Sequence, residues 1–238
     1  MTLKDYNYWE KNLTMAIFRI DEIIKQCKNK DVLHLGFVQH LNWEDRHAKG
    51  MWLHSSINKV AKSLIGLDYL KDEVLRINQK FNQNNVAGNV LELDSCPIDQ
   101  KFEVIVCGEL IEHVDNPGLM LSGIKRFMNN DSLLVITTPN AFCEAWARRA
   151  WLGEEGKTFL NSEHVAWYSK KTLTHILERN GYQIERSDYY IANKAENIRN
   201  LSFERFKNIL KTLTFSQRKK LGFNHKAMGL YFLAKIKK

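Results

Sequence analysis

Phe102-Glu-Val-Ile-Val-Cys-Gly-Glu-Leu-Ile-Glu-His-Val-Asp-Asn-Pro117 is the stretch on which the fold turns. Its first six residues, Phe102 to Cys107, are a short apolar, partly β-branched run in the style of an interior strand, and the run breaks at Gly108. Asn116-Pro117 then opens a helix expected to reach Met128, with proline at an early position where its missing N–H costs little. Ser132-Leu-Leu-Val-Ile-Thr-Thr138 follows as another strand, ended by Pro139. A strand, a helix and a strand in this rhythm imply a parallel pair joined by a right-handed crossover.

The same rhythm extends outward on both sides. Upstream, Asp31-Val-Leu-His-Leu-Gly36 reads as a buried strand breaking into a loop, where parallel sheets place their ligands. Leu64-Ile-Gly-Leu-Asp68 is a second strand, Lys71 to Phe81 a helix, and Val86 to Leu93 a third strand. Between them, Asn42-Trp-Glu-Asp-Arg46 and Met51-Trp-Leu-His54 form an insertion that either closes over a ligand or packs as an ordinary loop. Downstream, Ser169 caps a helix to Asn180 that stops at Gly181, and strands follow at Tyr182 to Tyr189 and Met228 to Lys235. Leu13, Ile17, Ile20, Ile23 and Ile24 recur at helical spacing, so Asp5 to Lys28 is expected to be an amphipathic helix ahead of the sheet. The expectation is an α/β fold: a doubly wound, mostly parallel sheet of seven strands.

At 238 residues and 44% hydrophobic content, the chain suits one core and is short for two domains of comparable size. The reading is one domain over 1–238, with an N-terminal helix over 1–30, a ligand-binding core over 31–193, and a basic helical insertion plus last strand over 194–238. No apolar run is long enough to span a membrane, and the first residues are mixed polar and aromatic unlike a signal peptide, so a cytoplasmic protein is expected. The four cysteines (Cys27, Cys96, Cys107 and Cys143) are widely spaced without metal-ligand spacing, which favours reduced thiols and no metal. Lys194 to Lys238 carries twelve Lys and Arg against two acids, a net +10 within a chain total of +8, so the basicity belongs to the tail.

Three strands ending in Gly36, Asp68 and toward Asp94, followed by Val104 to Pro117 and Leu133-Leu-Val-Ile-Thr-Thr-Pro-Asn140, resemble the class I S-adenosyl-L-methionine-dependent methyltransferases. The nearest branch is similar to the ubiquinone-biosynthesis-like O-methyltransferases and their relatives in glycan and natural-product pathways. Glu163-His-Val-Ala-Trp-Tyr-Ser169 before a helix adds to the likeness, which covers roughly Asp31 to Tyr189. The resemblance implies a Rossmann-like fold and S-adenosyl-L-methionine as cofactor, with S-adenosyl-L-homocysteine as product. It places Leu35, Gly36 and Phe37 on the cofactor loop, Asp68 and Tyr69 by the ribose, Asp94 and Ser95 by the adenine, and Cys107 and Gly108 under the methionine end. Asp68 and the Asp94-Ser95 pair are also ordinary cap and turn chemistry. The family's loop pattern is an acid, then three glycines at alternate positions. Here the stretch reads His34-Leu-Gly36-Phe-Val-Gln-His40, so only Gly36 survives and His34 stands where the acid would be.

A sulfonium methyl is already activated, so the protein must align the nucleophile and, for a hydroxyl acceptor, remove its proton. His113 and His164 are candidate bases, each with an ordinary structural reading beside it, and Glu109 is a candidate for cofactor or acceptor. Glu112 suits a structural pair. The acceptor implied by the resemblance is a small molecule such as a glycan sugar or a lipid-linked intermediate. The basic segment reads as a substrate lid, ahead of a contact with anionic membrane or nucleic acid. Two rivals follow: an RNA methyltransferase, favoured by the tail's charge, and a non-catalytic scaffold, favoured by the eroded glycine loop.

Overall fold

A computed structural model of the chain describes residues 17–39, 42–143, 146, 163–191 and 227–238. The sheet contains β1 (Ile17–Phe18), β2 (Asp31–Leu35), β3 (Ser63–Asp68), β4 (Val86–Ala87), β5 (Phe102–Gly108), β6 (Met128–Pro139), β7 (Tyr182–Ile191) and β8 (Gly229–Ile236). Their order across the sheet is β1-β7-β8-β6-β5-β2-β3-β4. Every neighbouring pair is parallel except those of β8, which runs antiparallel between β6 and β7. The doubly wound α/β architecture is therefore present, with eight strands rather than seven.

Alternate residues of the central strands bury opposite faces. Leu33, Leu35, Ile105, Cys107, Leu134 and Ile136 pack with α5 (Pro117–Ile124) and α6 (Lys170–Arg179) through Met120, Leu121, Leu173 and Leu177. Val32, Val104, Val106 and Val135 face α1 (Arg19–Cys27) and α3 (Leu53–Asn58) through Ile23, Leu53 and Ile57. Burial on both faces explains why these strands read as continuous apolar runs instead of alternating ones. A smaller cluster joins Phe37, Trp43, Trp52, Val74 and Ile77, and brings together α2 (Trp43–Ala48) and α4 (Lys71–Phe81).

Several boundaries differ from expectation. The added strand β1 comes from the stretch expected to be helical: Ile17 and Phe18 pair with Tyr190 and Ile191, and the helix begins only at Arg19. Residues 5–16 of the expected helix lie outside the described residues. The third strand is confined to Val86–Ala87, because Asn89 turns the chain: its side chain accepts from the Leu91 N–H and its carbonyl from the Glu92 N–H. Leu93–Ser95 is then a 3₁₀ turn. The helix after Pro117 stops at Ile124, and Met128 joins β6 opposite Phe102. The insertion packs as two short helices, with Trp43 and Trp52 almost fully buried, while its Arg46 lines the cleft at the C-terminal ends of the central strands.

Ser169 caps α6 as its spacing suggests. Its hydroxyl accepts the Thr172 N–H at 3.1 Å, and the Thr172 hydroxyl accepts the Ser169 N–H at 2.9 Å, a reciprocal capping box. Gly181, at φ +75°, ends the helix in a conformation that glycine adopts freely. Replacing Ser169 by alanine should lower the unfolding free energy by about 1 kcal/mol with an unchanged urea m-value, measured by urea titration followed by far-UV circular dichroism.

Candidate cofactor cleft and active site

The strand order reverses between β2 and β5, and their C-terminal ends open into a cleft of about 780 Å³. That volume and place suit a small-molecule ligand. Of the residues expected in the site, Gly36, Asp68, Tyr69, Gly108, Glu109, His113 and His164 line this cleft. Leu35 and Phe37 are fully buried beneath it, and the Phe37 ring lies so close to Gly66 that a Cβ there would approach it to 2.5 Å. Cys107 points into the core, where burial raises its thiol far above the usual range. Asp94 and Ser95 sit exposed on the 3₁₀ turn, away from the lining residues. The turn's carbonyls, from Leu93, Asp94 and Cys96, accept from Arg126 Nη1. The neighbouring turn Gly88 to Leu91, which the sequence pattern assigns to a strand, lines the cleft instead.

Asp68 organises the loop after β2. One carboxylate oxygen accepts the Val38 N–H at 3.0 Å and the other accepts the Leu70 N–H at 3.1 Å, while Gly36 N–H bonds to the Leu67 carbonyl. Gly36 sits at φ +67°, and Trp52 Nε1 donates to the Phe37 carbonyl at 2.9 Å. With one glycine left, the loop is held by long-range hydrogen bonds from β3 and α3. The expected turn role of Asp68 is thus real.

At the β5 end the backbone turns sharply through Glu109, a non-glycine residue at φ +57°. Such a conformation is uncommon away from glycine and is held by its surroundings. Tyr190 donates its hydroxyl to Glu109 Oε1 at 2.7 Å, and Arg19 Nε lies 3.8 Å from the same oxygen. Arg19 also donates from Nε to Thr137 Oγ1 at 3.0 Å, and its Nη2 is buried with no hydrogen-bond partner. Arg19 and Tyr190 both line the cleft. Neither follows any motif in the sequence, because 171 positions separate them and only sheet pairing brings them together.

Glu112 is buried. One oxygen accepts from Thr138 Oγ1 at 3.0 Å and the other has no partner. Burial, with the Glu109 charge second, raises its carboxyl to about 8. The His113 and His164 rings meet edge to face at 4.6 Å, and His113 Nδ1 lies 4.0 Å from Glu163. Trp167 packs on His164 and on Trp146 at ring separations of 5.4 and 5.5 Å. Among the described residues, Glu112, His113 and His164 bring one ligand atom each within 4.8 Å of one another, close enough to share a cation. Spacing along the chain gives no sign of that grouping, since His164 is 51 residues beyond His113.

His34, which occupies the acid's place before the loop, pairs with His54 of α3. Their Nδ1 atoms are 3.3 Å apart, the rings stack, and both are buried with Nε2 unpartnered. Burial pushes His54 down to about 3 and His34 well below its usual value, with the His54 and Arg19 charges adding to the latter. Because both folded-state values are depressed, the unfolded chain takes up protons below about pH 6.5 that the folded chain refuses. The pair's own contribution is therefore flat above that pH and lost beneath it, whereas the raised Glu112 carboxyl works the other way, its stability being lost as pH rises from about 4.5 through about 8, so stability should peak near pH 6.5. The two histidines contribute a slope approaching ~2.7 kcal/mol per pH unit below pH 6.5 and Glu112 an opposing ~1.4, leaving a net rise of ~1.4 that His54→Leu should nearly abolish. Urea titrations from pH 5 to 8 measure this, and a profile with no rise between pH 5 and 6.5, or one that His54→Leu leaves unchanged, would contradict the buried pair.

Comparison with known proteins places this geometry in context. A family model described as a methyltransferase domain matches residues 48–187. The chain is similar to a ubiquinone biosynthesis O-methyltransferase of Glaesserella parasuis, 28% identical over 102 residues, with 40% of this chain and 43% of that protein covered. It is likewise similar to one from Rickettsia bellii, 22% identical over 205 residues, covering 80% and 82%. The match thus spans under half the length of the first relative and most of the second. Among solved structures, a SAM-dependent methyltransferase from Archaeoglobus fulgidus superposes with a TM-score of 0.56 at 20% identity, covering 91% of each chain. That likeness is one of fold.

Proposed function

From the premise that the chain belongs to the family of methyltransferase domains, and so is an S-adenosyl-L-methionine-dependent methyltransferase, we propose that it methylates a hydroxyl oxygen of a small molecule such as a glycan sugar or lipid-linked intermediate. The cleft's chemistry fits the cofactor. Asp68 brings a carboxylate to the cleft wall at the end of β3, the group suited to ribose hydroxyls, Gly36 and Gly108 leave the strand ends bare, and the buried Nη2 of Arg19 lacks a partner beside Gly108. An Arg beside a Glu matches the carboxylate and ammonium of an amino-acid end. When bound, the cofactor supplies a methyl group on a positively charged sulfur.

The observation that carries the choice of oxygen is the pair of imidazoles, His113 and His164, on the wall of this cleft. A hydroxyl must lose its proton as it attacks, and a neutral imidazole is the side chain suited to receive it. The Glu163 carboxylate near His113 Nδ1 orients that ring and steadies the cation formed. Trp146 lines the cleft and packs on Trp167, an aromatic surface suited to the C–H face of a sugar or to an apolar chain. The names of the similar O-methyltransferases support oxygen as the acceptor atom. The family assignment removes the non-catalytic scaffold. The basic segment behind the lid, membrane and RNA readings lies outside the described residues over 194–226, and no helix among those described is long and apolar enough to cross a membrane.

Calorimetric titration with S-adenosyl-L-methionine and S-adenosyl-L-homocysteine should give saturable binding in the micromolar range, of the order ~8 kcal/mol. Asp68→Asn should weaken both by roughly tenfold or more, because one anionic acceptor is lost. Asparagine keeps an oxygen for one of the two loop amides and sets an NH2 against the other, so melting curves without ligand accompany the titration. With an acceptor found by screening hydroxylated compounds for transfer of labelled methyl, His164→Ala should slow turnover by about 10² while leaving homocysteine-product affinity unchanged. Transfer to amines but not to hydroxyls would overturn the choice of oxygen.

A further inference from the structure

Tyr190 joins three features that the cleft reading leaves separate. Its backbone pairs with Ile17 of β1, two residues before Arg19, so the edge strand sets where Arg19 enters the cleft. Its ring lies beneath the Arg19 guanidinium, 6.0 Å from ring centre to Cζ. Its hydroxyl donates to Glu109 Oε1 at 2.7 Å. Across the sheet, Tyr190 stands directly opposite Gly229 of β8, and a Cβ on Gly229 would fall 2.0 to 2.2 Å from the Tyr190 ring and hydroxyl. No side chain could occupy 229 with the ring in this place. The bare glycine lets the phenol cross β8 and reach a residue at the end of β5.

We infer that Tyr190, seated over Gly229, is a positioning residue that sets Glu109 and Arg19 as a matched acid and base for the amino-acid end of the cofactor. The hydroxyl fixes one Glu109 oxygen and so the rotamer of a side chain whose backbone is already in the left-handed region. The phenol is neutral and its bond to an anion is charge-assisted, so it holds the carboxylate without neutralising it. Arg19, bonded to Thr137 through Nε, keeps Nη2 for a ligand. Tyr190 itself acts through these two groups. This inference rests on the cofactor-cleft reading and adds which residue tunes its amino-acid end.

The experiment compares two ligands that differ only in that end. S-adenosyl-L-homocysteine carries the amino-acid group, whereas 5′-methylthioadenosine has the adenosine and thioether without it. Calorimetry on the full chain should show Tyr190→Phe weakening S-adenosyl-L-homocysteine roughly tenfold or more, with methylthioadenosine affinity unchanged. Gly229→Ala, which displaces the ring, should give the same one-sided loss. In a Glu109→Gln background the Tyr190→Phe change should add little, as expected for a residue acting through Glu109. Melting curves without ligand check that each variant is folded. Equal losses for both ligands, or wild-type affinity for S-adenosyl-L-homocysteine in Tyr190→Phe, would overturn the role of Tyr190. Wild-type protein that binds neither ligand would overturn the cleft reading and this inference with it.

Discussion

The reversal of strand order between β2 and β5 is the constraint on which everything else depends. From β2 the chain winds outward through β3 and β4, and from β5 it winds the other way through β6. No crossover covers the C-terminal ends of the two central strands, so a crevice has to open there. The register places Leu35 beside Cys107, and Gly36 and Gly108, which follow them, both line the crevice. Burial of both strand faces makes the floor rigid, and the loops above it take their positions from that floor.

A loop that has lost most of its glycines has to be shaped by something other than backbone freedom. Here the shaping is tertiary: the Asp68 carboxylate bonds the Val38 amide, the Trp52 indole bonds the Phe37 carbonyl, and the Phe37 ring fills the space over Gly66. The aromatic insertion thus substitutes packing for glycine. It also explains the buried histidine pair, since α3 brings His54 over the strand position where an acid would otherwise sit. An apolar wall of Trp43, Trp52 and Phe37 would leave an isolated carboxylate there poorly solvated, whereas neutral imidazoles accept burial at lower cost.

Most of the fold is legible in the sequence because the informative features are local. Apolar β-branched runs, a proline at a helix start, a serine cap and a glycine stop each report on a few neighbouring residues, and Asp68 is read from its place at a strand end. What is not legible depends on distant pairing. Arg19 and Tyr190 have no motif, and Ile17–Phe18 follows a helical period while in fact completing the sheet edge. Asp94 and Ser95 read well as an end-of-strand pair, yet the Asn89 turn rotates them away from the cleft and substitutes the Gly88 to Leu91 backbone. The grouping of Glu112, His113 and His164 is likewise a product of topology, since the last of these lies beyond β6.

The antiparallel strand β8 carries one further implication. Among the described residues it follows every other strand in the chain, yet it lies between β6 and β7, so β7, β1 and everything attached to them can join the sheet only once β8 has been inserted. During translation the β2–β6 half can assemble as it emerges, while the arginine and tyrosine beside Glu109 stay undocked. A nascent or truncated chain would therefore possess the ribose side of the cleft without its amino-acid side. The order of synthesis thus delays the amino-acid side of the cleft until β8 has emerged, which withholds full ligand recognition from chains cut short of it.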